Sequence, residues 1–178
     1  MSKPVVHILI GPSGSGKSTW AKAFCEHKVG CAIYVCSADR FHVVQVEENG
    51  YVREVYKFDP SKVAMAHSQC MNEFLKAITS PDIDHVIVDN TNISLWERQN
   101  YIQAAFNAGC QLEFEIWLVN TIDEIKLCAK RNVHGVPVGV IADMALRFDF
   151  DPEQIPGNRK SYRYHGDKTQ TLSFRSID

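Results

Sequence analysis

Residues 11–18 read Gly-Pro-Ser-Gly-Ser-Gly-Lys-Ser, a G-x-x-x-x-G-K-[ST] pattern set between an apolar run, Val5 to Ile10, and a helix-like segment that begins at Lys17. Glycine has no Cβ, so a loop built on Gly11, Gly14 and Gly16 can curl until successive N–H groups converge on phosphate oxygens. Ser13, Ser15 and Thr19 complete the cradle, and the positive end of the following helix points into it. Lys17 is expected to reach the β- and γ-phosphates and the Ser18 hydroxyl to hold Mg²⁺, which makes ATP with Mg²⁺ the implied ligand. A glycine-rich turn matching by chance would lack the strand before it and the helix after it.

The motif also constrains the rest of the chain. Further β-branched runs, Ala32 to Cys36 and His85 to Asp89, are almost continuously apolar, as strands buried on both faces must be. Leu112 to Val119 alternates only partly and is a fourth candidate. Helix-like segments lie between them, at Lys17 to Lys28, Ser61 to Thr79, Ser94 to Ala108 and Ile122 to Lys130. This alternation predicts an α/β fold of the P-loop NTPase type: a parallel sheet flanked by helices, with ligands at the carboxyl ends of the strands and a short helical lid at roughly 131–150. Residues 40–60 are polar, with turn signals at Asn49-Gly50 and Asp59-Pro60, and read as a flap over the site. The tail from Pro156 to 178 carries Arg159, Lys160, Arg163, Lys168 and Arg175 and is expected to be a solvated hairpin or frayed terminus.

A chain of 178 residues with 45% hydrophobic content suits one domain, spanning 1–178. A formal charge of −2 excludes a polybasic nucleic-acid binder, so any nucleic-acid contact must be local. The six cysteines show no CxxC spacing and read as reduced core thiols. No apolar stretch approaches the ~18 residues needed to cross a bilayer, so no membrane partner is expected and the default address is the cytoplasm.

On the acceptor side, Asp39 follows the second run, where a carboxylate can serve as general base for a hydroxyl or can merely cap a turn. Asp89 ends the third run in the Walker B position and would support the magnesium shell with Ser18. Asn90, Thr91 and Asn92 follow it, either orienting substrate or capping the helix near Ser94. Arg131 and Arg147 are cations suited to a transferring phosphoryl group, although on position alone a surface helix-end cation is the favoured reading of each. His67 and Cys70 share a helical face, but two ligands do not make a metal site, and packing is the favoured reading.

Taken together, Gly11 to Ala21, Ser37 to Phe41, Phe58 to Cys70, Val86 to Trp96 and Arg131 to Phe148 resemble kinases related to the phage 5′-polynucleotide kinase and to the polynucleotide-kinase-like domains of eukaryotic ubiquitin-ligase-binding proteins. The resemblance implies that Asp39 activates the acceptor hydroxyl and that Arg131 belongs to a nucleotide-clamping lid. It also implies a substrate phosphate contact three residues after the base, where this chain has His42 in place of arginine. Asn90 stands where the phage enzyme has aspartate, and the lid between Asn132 and Pro137 is shorter and lacks a further arginine. Asp149 to Glu153 only superficially matches a phosphatase start, and no phosphatase activity is assigned.

The expected activity is transfer of the ATP γ-phosphate to a hydroxyl, with the 5′ end of a nucleic acid as preferred acceptor. Two alternatives stand beside it: a kinase of a small-molecule acceptor such as a metabolite or nucleoside, and a non-catalytic ATP-binding interaction module. Protein partners are unknown from the sequence.

Overall fold

A computed structural model describes residues 3–48 and 50–166. Strand β1 (Val5–Ile10) runs into the glycine-rich loop and helix α1 (Lys17–His27), then β2 (Ile33–Cys36) and a 3₁₀ turn, Ala38–His42. Strands β3 (Val43–Glu48) and β4 (Tyr51–Tyr56) pair antiparallel as a separate hairpin. Helix α2 (Val63–Thr79), β5 (His85–Val88), α3 (Leu95–Asn107), β6 (Gln111–Trp117), α4 (Ile122–Arg131), α5 (Val138–Leu146) and β7 (Lys160–His165) complete the order.

The main sheet has the order β2-β5-β1-β6-β7, and every pairing in it is parallel. Its central strands are buried on both faces, which accounts for their largely apolar sequence: Val6, Ile8, Val86 and Phe114 face one layer of core, Leu9 and Ile87 the other. On the first face α2 presents Ala66, Cys70, Phe74, Ala77 and Ile78, a one-sided stripe at helical spacing. The ring of Phe74 meets that of Tyr101 from α3 edge-on, with centroids 5.0 Å apart. Helix α1 covers the second face. Helices α4 and α5 pack on each other through Cys128 and Ile141, with Val119 beneath them. A reciprocal cap starts α4, in which Thr121 accepts from the Glu124 N–H while the Glu124 side chain accepts from the Thr121 N–H.

The four predicted strands and four predicted helices form within a few residues of their expected bounds, and 138–146 supplies the helix of the lid. The flap is a two-stranded hairpin with Gly50 at φ +79°. The tail differs from expectation. Lys160–His165 is neither a hairpin nor frayed but a fifth parallel strand, in register with Leu112 to Trp117 of β6. Lys160, read as a solvated cation, donates instead to the carbonyls of Pro152 and Ile155 at 3.0 and 2.5 Å. Lys168 and Arg175 lie outside the described residues. Four cysteines are buried and Cys25 is half-buried, whereas Cys31 is exposed rather than in the core. Among the described residues no helix is long and apolar enough to cross a membrane.

Candidate active site

Because all five strands run the same way, the segments after β1, β2 and β5 meet at one edge of the sheet. The Gly11 N–H donates to the Thr91 carbonyl at 3.0 Å, and the Asp89 N–H donates to the Cys36 carbonyl at 2.8 Å. The loop after β1 needs its glycines for two separate reasons. Gly14 and Gly16 adopt φ of +78° and +109°, which L side chains resist. A Cβ on Gly14 would lie 2.0 Å from the Cys128 carbonyl oxygen, and one on Gly11 would lie 2.8 Å from Trp117 Cβ.

Lys17 opens α1 and is buried, its ammonium donating to the carbonyls of Gly11 and Pro12 at 2.8 and 2.9 Å. Burial pushes its pKa down to about 8, against the opposing pull of Asp89 and Asp39. Ser15 Oγ is buried in the same loop without a hydrogen-bond partner. A tight cradle that a Cβ would fill, an ammonium short of counter-charge and an orphaned hydroxyl all fit a bound polyphosphate. Asp89 has its carboxyl pKa raised by burial, opposed by a hydrogen bond from Ser18 and by the charge of Lys17. The paired Ser18 hydroxyl and Asp89 carboxylate are hard oxygen donors of the kind Mg²⁺ takes.

These groups line a cavity of about 570 Å³ that includes Ser13, Gly14, Gly16, Lys17, Ser18, Thr19, Asp39, Asp89, Asn90, Thr91 and Arg131. A second cavity of about 330 Å³ adjoins it, walled by Tyr56, Phe58 and His67 on one side and Val136, Pro137, Val140 and Met144 on the other. Ser13, Asp39, Asn90, Thr91 and His134 border both. Asp39 is about half exposed, and two side chains from outside its own element hold it. The Tyr56 hydroxyl donates to Oδ1 at 3.3 Å, and His134 Nε2 lies 3.5 Å from Oδ2. The Tyr56 and His134 rings pack on each other with centroids 4.1 Å apart.

The other residues singled out in the sequence divide sharply. Gly11 and Ser15 form the back of the phosphate loop. Asn90 borders the cavities, but its side chain is engaged: Oδ1 accepts from the Ala38 N–H at 2.9 Å, while Nδ2 donates to Cys70 Sγ and the Tyr101 hydroxyl. That explains the amide, since a carboxylate offers no donor to Cys70 or Tyr101. Cys70 is thus a hydrogen-bond partner in the core, and His67 lines the second cavity.

Three of the residues assigned to the site lie apart from the two cavities. His42 is 4% exposed, packed 5.2 Å from the Phe58 ring, and borders neither cavity. Asn92 is 2% exposed at φ +49°, with Nδ2 donating to the Leu9 carbonyl, and it shapes the turn after β5. Arg147 pairs with Glu97 at 3.6 Å and borders neither cavity, because α5 ends with that side chain directed at α3.

Tyr56 and His134 escaped the sequence reading, as did Arg98. That arginine is 2% exposed, donates to the carbonyls of Asn92 and Ile93 and pairs with Asp149, so it braces the turn that carries Asp89. A lone arginine inside an amphipathic helix gives no signal of such a role.

A family model described as AAA domain matches residues 6–149. Among curated proteins, human NEDD4-binding protein 2 is 27% identical over 135 residues, covering 74% of this chain and 7% of that protein. Mouse YLP motif-containing protein 1 is 24% identical over 165 residues, covering 85% of this chain and 12% of that one. The chain therefore spans only a small part of these relatives. Two solved structures share the fold at low identity. A gluconokinase from Sinorhizobium meliloti has a TM-score of 0.56 at 15% identity, covering 92% of this chain and 84% of that one. A chain of the Pnkp1/Rnl/Hen1 RNA repair complex has a TM-score of 0.60 at 19% identity, covering 83% and 44%. With its glycine-rich loop, its parallel sheet and a family match over most of its length, the chain belongs to the AAA domain family and has a P-loop kinase-like fold.

Proposed function

We propose that this protein is a phosphotransferase that moves the γ-phosphate of ATP to a hydroxyl group, and that its acceptor is the 5′-hydroxyl of a polynucleotide. The observation that carries the reading is the position of Asp39 on the border shared by the phosphate cavity and the second cavity. A carboxylate at that border can take a proton from a hydroxyl entering from one side while phosphate lies on the other. Pure nucleotide binding needs neither the second cavity nor the carboxylate.

In this reading the loop amides, Ser15 and Lys17 bind the polyphosphate, and Ser18 with Asp89 would hold Mg²⁺. Mg²⁺ held there would neutralise charge on the polyphosphate. The acceptor oxygen bonds to the γ-phosphorus as the bond to the bridging oxygen breaks, and its proton passes to Asp39. Tyr56 and His134 keep the carboxylate in place, and Arg131 balances charge on the transferring group. Tyr56, Phe58 and His67 offer flat surfaces on which a terminal nucleobase can stack, in keeping with the resemblance to polynucleotide kinases. Solved structures that share the fold include a chain of an RNA repair complex and a gluconokinase, so the choice rests on the cavity and the resemblance rather than on the fold.

One observation favours a small acceptor instead. No lysine or arginine is among the described residues lining the second cavity, so a charged strand gains little there. Incubation with γ-labelled ATP, Mg²⁺ and a panel of 5′-hydroxyl DNA, 5′-hydroxyl RNA, nucleosides and sugars separates the readings. Label on the oligonucleotides, absent when their ends are already phosphorylated, is the expected result. Label on nucleosides or sugars alone replaces the acceptor and keeps the kinase; label on none of them leaves a nucleotide-binding module.

A further inference from the structure

The sheet face beneath α1 carries polar side chains that no apolar core requires. In the parallel register His7 lies opposite Glu113, and Glu115 lies opposite Arg163. Alternation along the strands puts His7, Glu113, Glu115, Arg163 and His165 on the same face. His7 and Glu115 are each 1% exposed. Among the described residues, His7, Glu113 and Glu115 form a group whose ligand atoms all lie within 4.8 Å of one another. We propose that His7, Glu113 and Glu115 bind a divalent transition-metal cation of the Zn²⁺ class, which fastens β1 to β6 beneath α1.

The strongest observation is His7 Nδ1, which is buried, has no hydrogen-bond partner and points at Glu113 Oε2 from 3.3 Å. The other ring nitrogen, Nε2, lies 3.0 Å from His85 Nδ1. When Nε2–H donates to His85, Nδ1 turns a lone pair toward the carboxylate, and in the other tautomer Nδ1–H still makes no hydrogen bond, so in neither case does a proton satisfy the pair. A cation bound to both at about 2.1 Å sets its ligand atoms roughly 3.0–3.4 Å apart, the separation already present between His7 Nδ1 and Glu113 Oε2, with a Glu115 oxygen within 4.8 Å of each. One imidazole and two carboxylates suit a borderline cation better than Ca²⁺ or Mg²⁺, which prefer oxygen alone.

The surroundings match those of a ligand set. His85 orients the imidazole of His7, while Arg163 and His165 hold the two oxygens of Glu115, Arg163 at 3.0 Å from Oε1. The side chains of His165 and Arg163 are 23% and 59% exposed, leaving an approach from solvent beside the edge strand β7.

The test uses the full chain, stripped with chelator and free of nucleotide, in an Asp89→Asn background that removes the carboxylate of the phosphate site. Co²⁺ is the probe and Zn²⁺ the competitor. The expected result is one Co²⁺ per chain with visible bands of nitrogen and oxygen ligation, displaced by Zn²⁺, and Tm raised by about 5–10 °C at a hundredfold excess over Kd. Glu113→Gln, only a quarter exposed and nearly isosteric, should weaken binding at least about tenfold. Glu115→Gln should do the same, and the Glu113 variant decides alone if that second protein fails to fold. Absence of stoichiometric uptake, a thiolate charge-transfer band from cysteine, or equal affinity in Glu113→Gln would each overturn the site.

Discussion

At the scale of single residues, Lys17 and Asp39 are placed in opposite ways. Lys17 is buried and held at reduced charge stability, with its pKa down to about 8, whereas Asp39 is about half exposed and held by two weak partners. The folded pKa of Lys17 lies below its unfolded value of 10.5, so the unfolded chain binds more protons between those values and stability rises with pH across that window. The gain from this group is on the order of 3 kcal/mol. Urea unfolding at pH 8 and pH 10 should show that rise in wild type and lose that component in Lys17→Met; equal pH dependence in both proteins would contradict the buried ammonium. Asp39→Asn keeps the shape and removes the proposed base. Transfer should fall roughly 10²–10⁴-fold while ATP affinity stays within a few fold, checked by single-turnover assay beside equilibrium binding. Unchanged turnover would reduce Asp39 to a turn residue.

Among the elements, the hairpin and the lid matter because each sends one ring to Asp39. The hairpin is mostly exposed along its length and meets the site through Tyr56 at the end of β4, next to Phe58. The loop between α4 and α5 contributes His134 and the apolar wall from Val136 onward. Tyr56 borders the second cavity, whereas His134 borders both. Tyr56→Ala should therefore raise the acceptor KM about tenfold and leave the KM for ATP unchanged. His134→Ala should raise both. Bisubstrate kinetics distinguish the two patterns, and an ATP effect in Tyr56→Ala would dissociate the hairpin from the acceptor.

For the whole molecule, electrostatics argue for a light grip on any strand. The chain carries a formal charge of −2, and His42, the one cation assigned by position to a substrate phosphate, is buried away from both cavities. At most about two phosphate contacts follow, giving a log–log salt slope for a single strand no steeper than roughly −1.4. Binding of a 5′-hydroxyl oligonucleotide, measured against salt with a non-hydrolysable ATP analogue and Mg²⁺, should also be indifferent to His42→Ala between pH 6 and pH 8. A slope near −3 or a loss in His42→Ala would mean that a basic surface outside the described cavities holds the strand.

The phosphate loop and the sheet were legible in the sequence because their causes are local. Gly14 and Gly16 occupy backbone conformations that other residues resist, and the nearly continuous apolar runs at Val5–Ile10 and His85–Val88 follow from burial on both faces. Asp39 and Asp89 were readable for the same reason, since a carboxylate just past a parallel strand falls at the ligand edge wherever the rest of the chain goes. Tyr56, His134 and Arg98 were not readable. Their roles depend on contacts across 17, 95 and 51 positions of chain, to Asp39 for the first two and to Asp149 for the third. The edge strand Lys160–His165 was hidden likewise, because its polar alternation looks solvated until β6 supplies the parallel partner and Glu115 the counter-charge. Backbone strain and two-sided burial leave their mark on consecutive residues. Pairing between distant side chains, and a polar cluster assembled from four strands, come into being only when the fold closes.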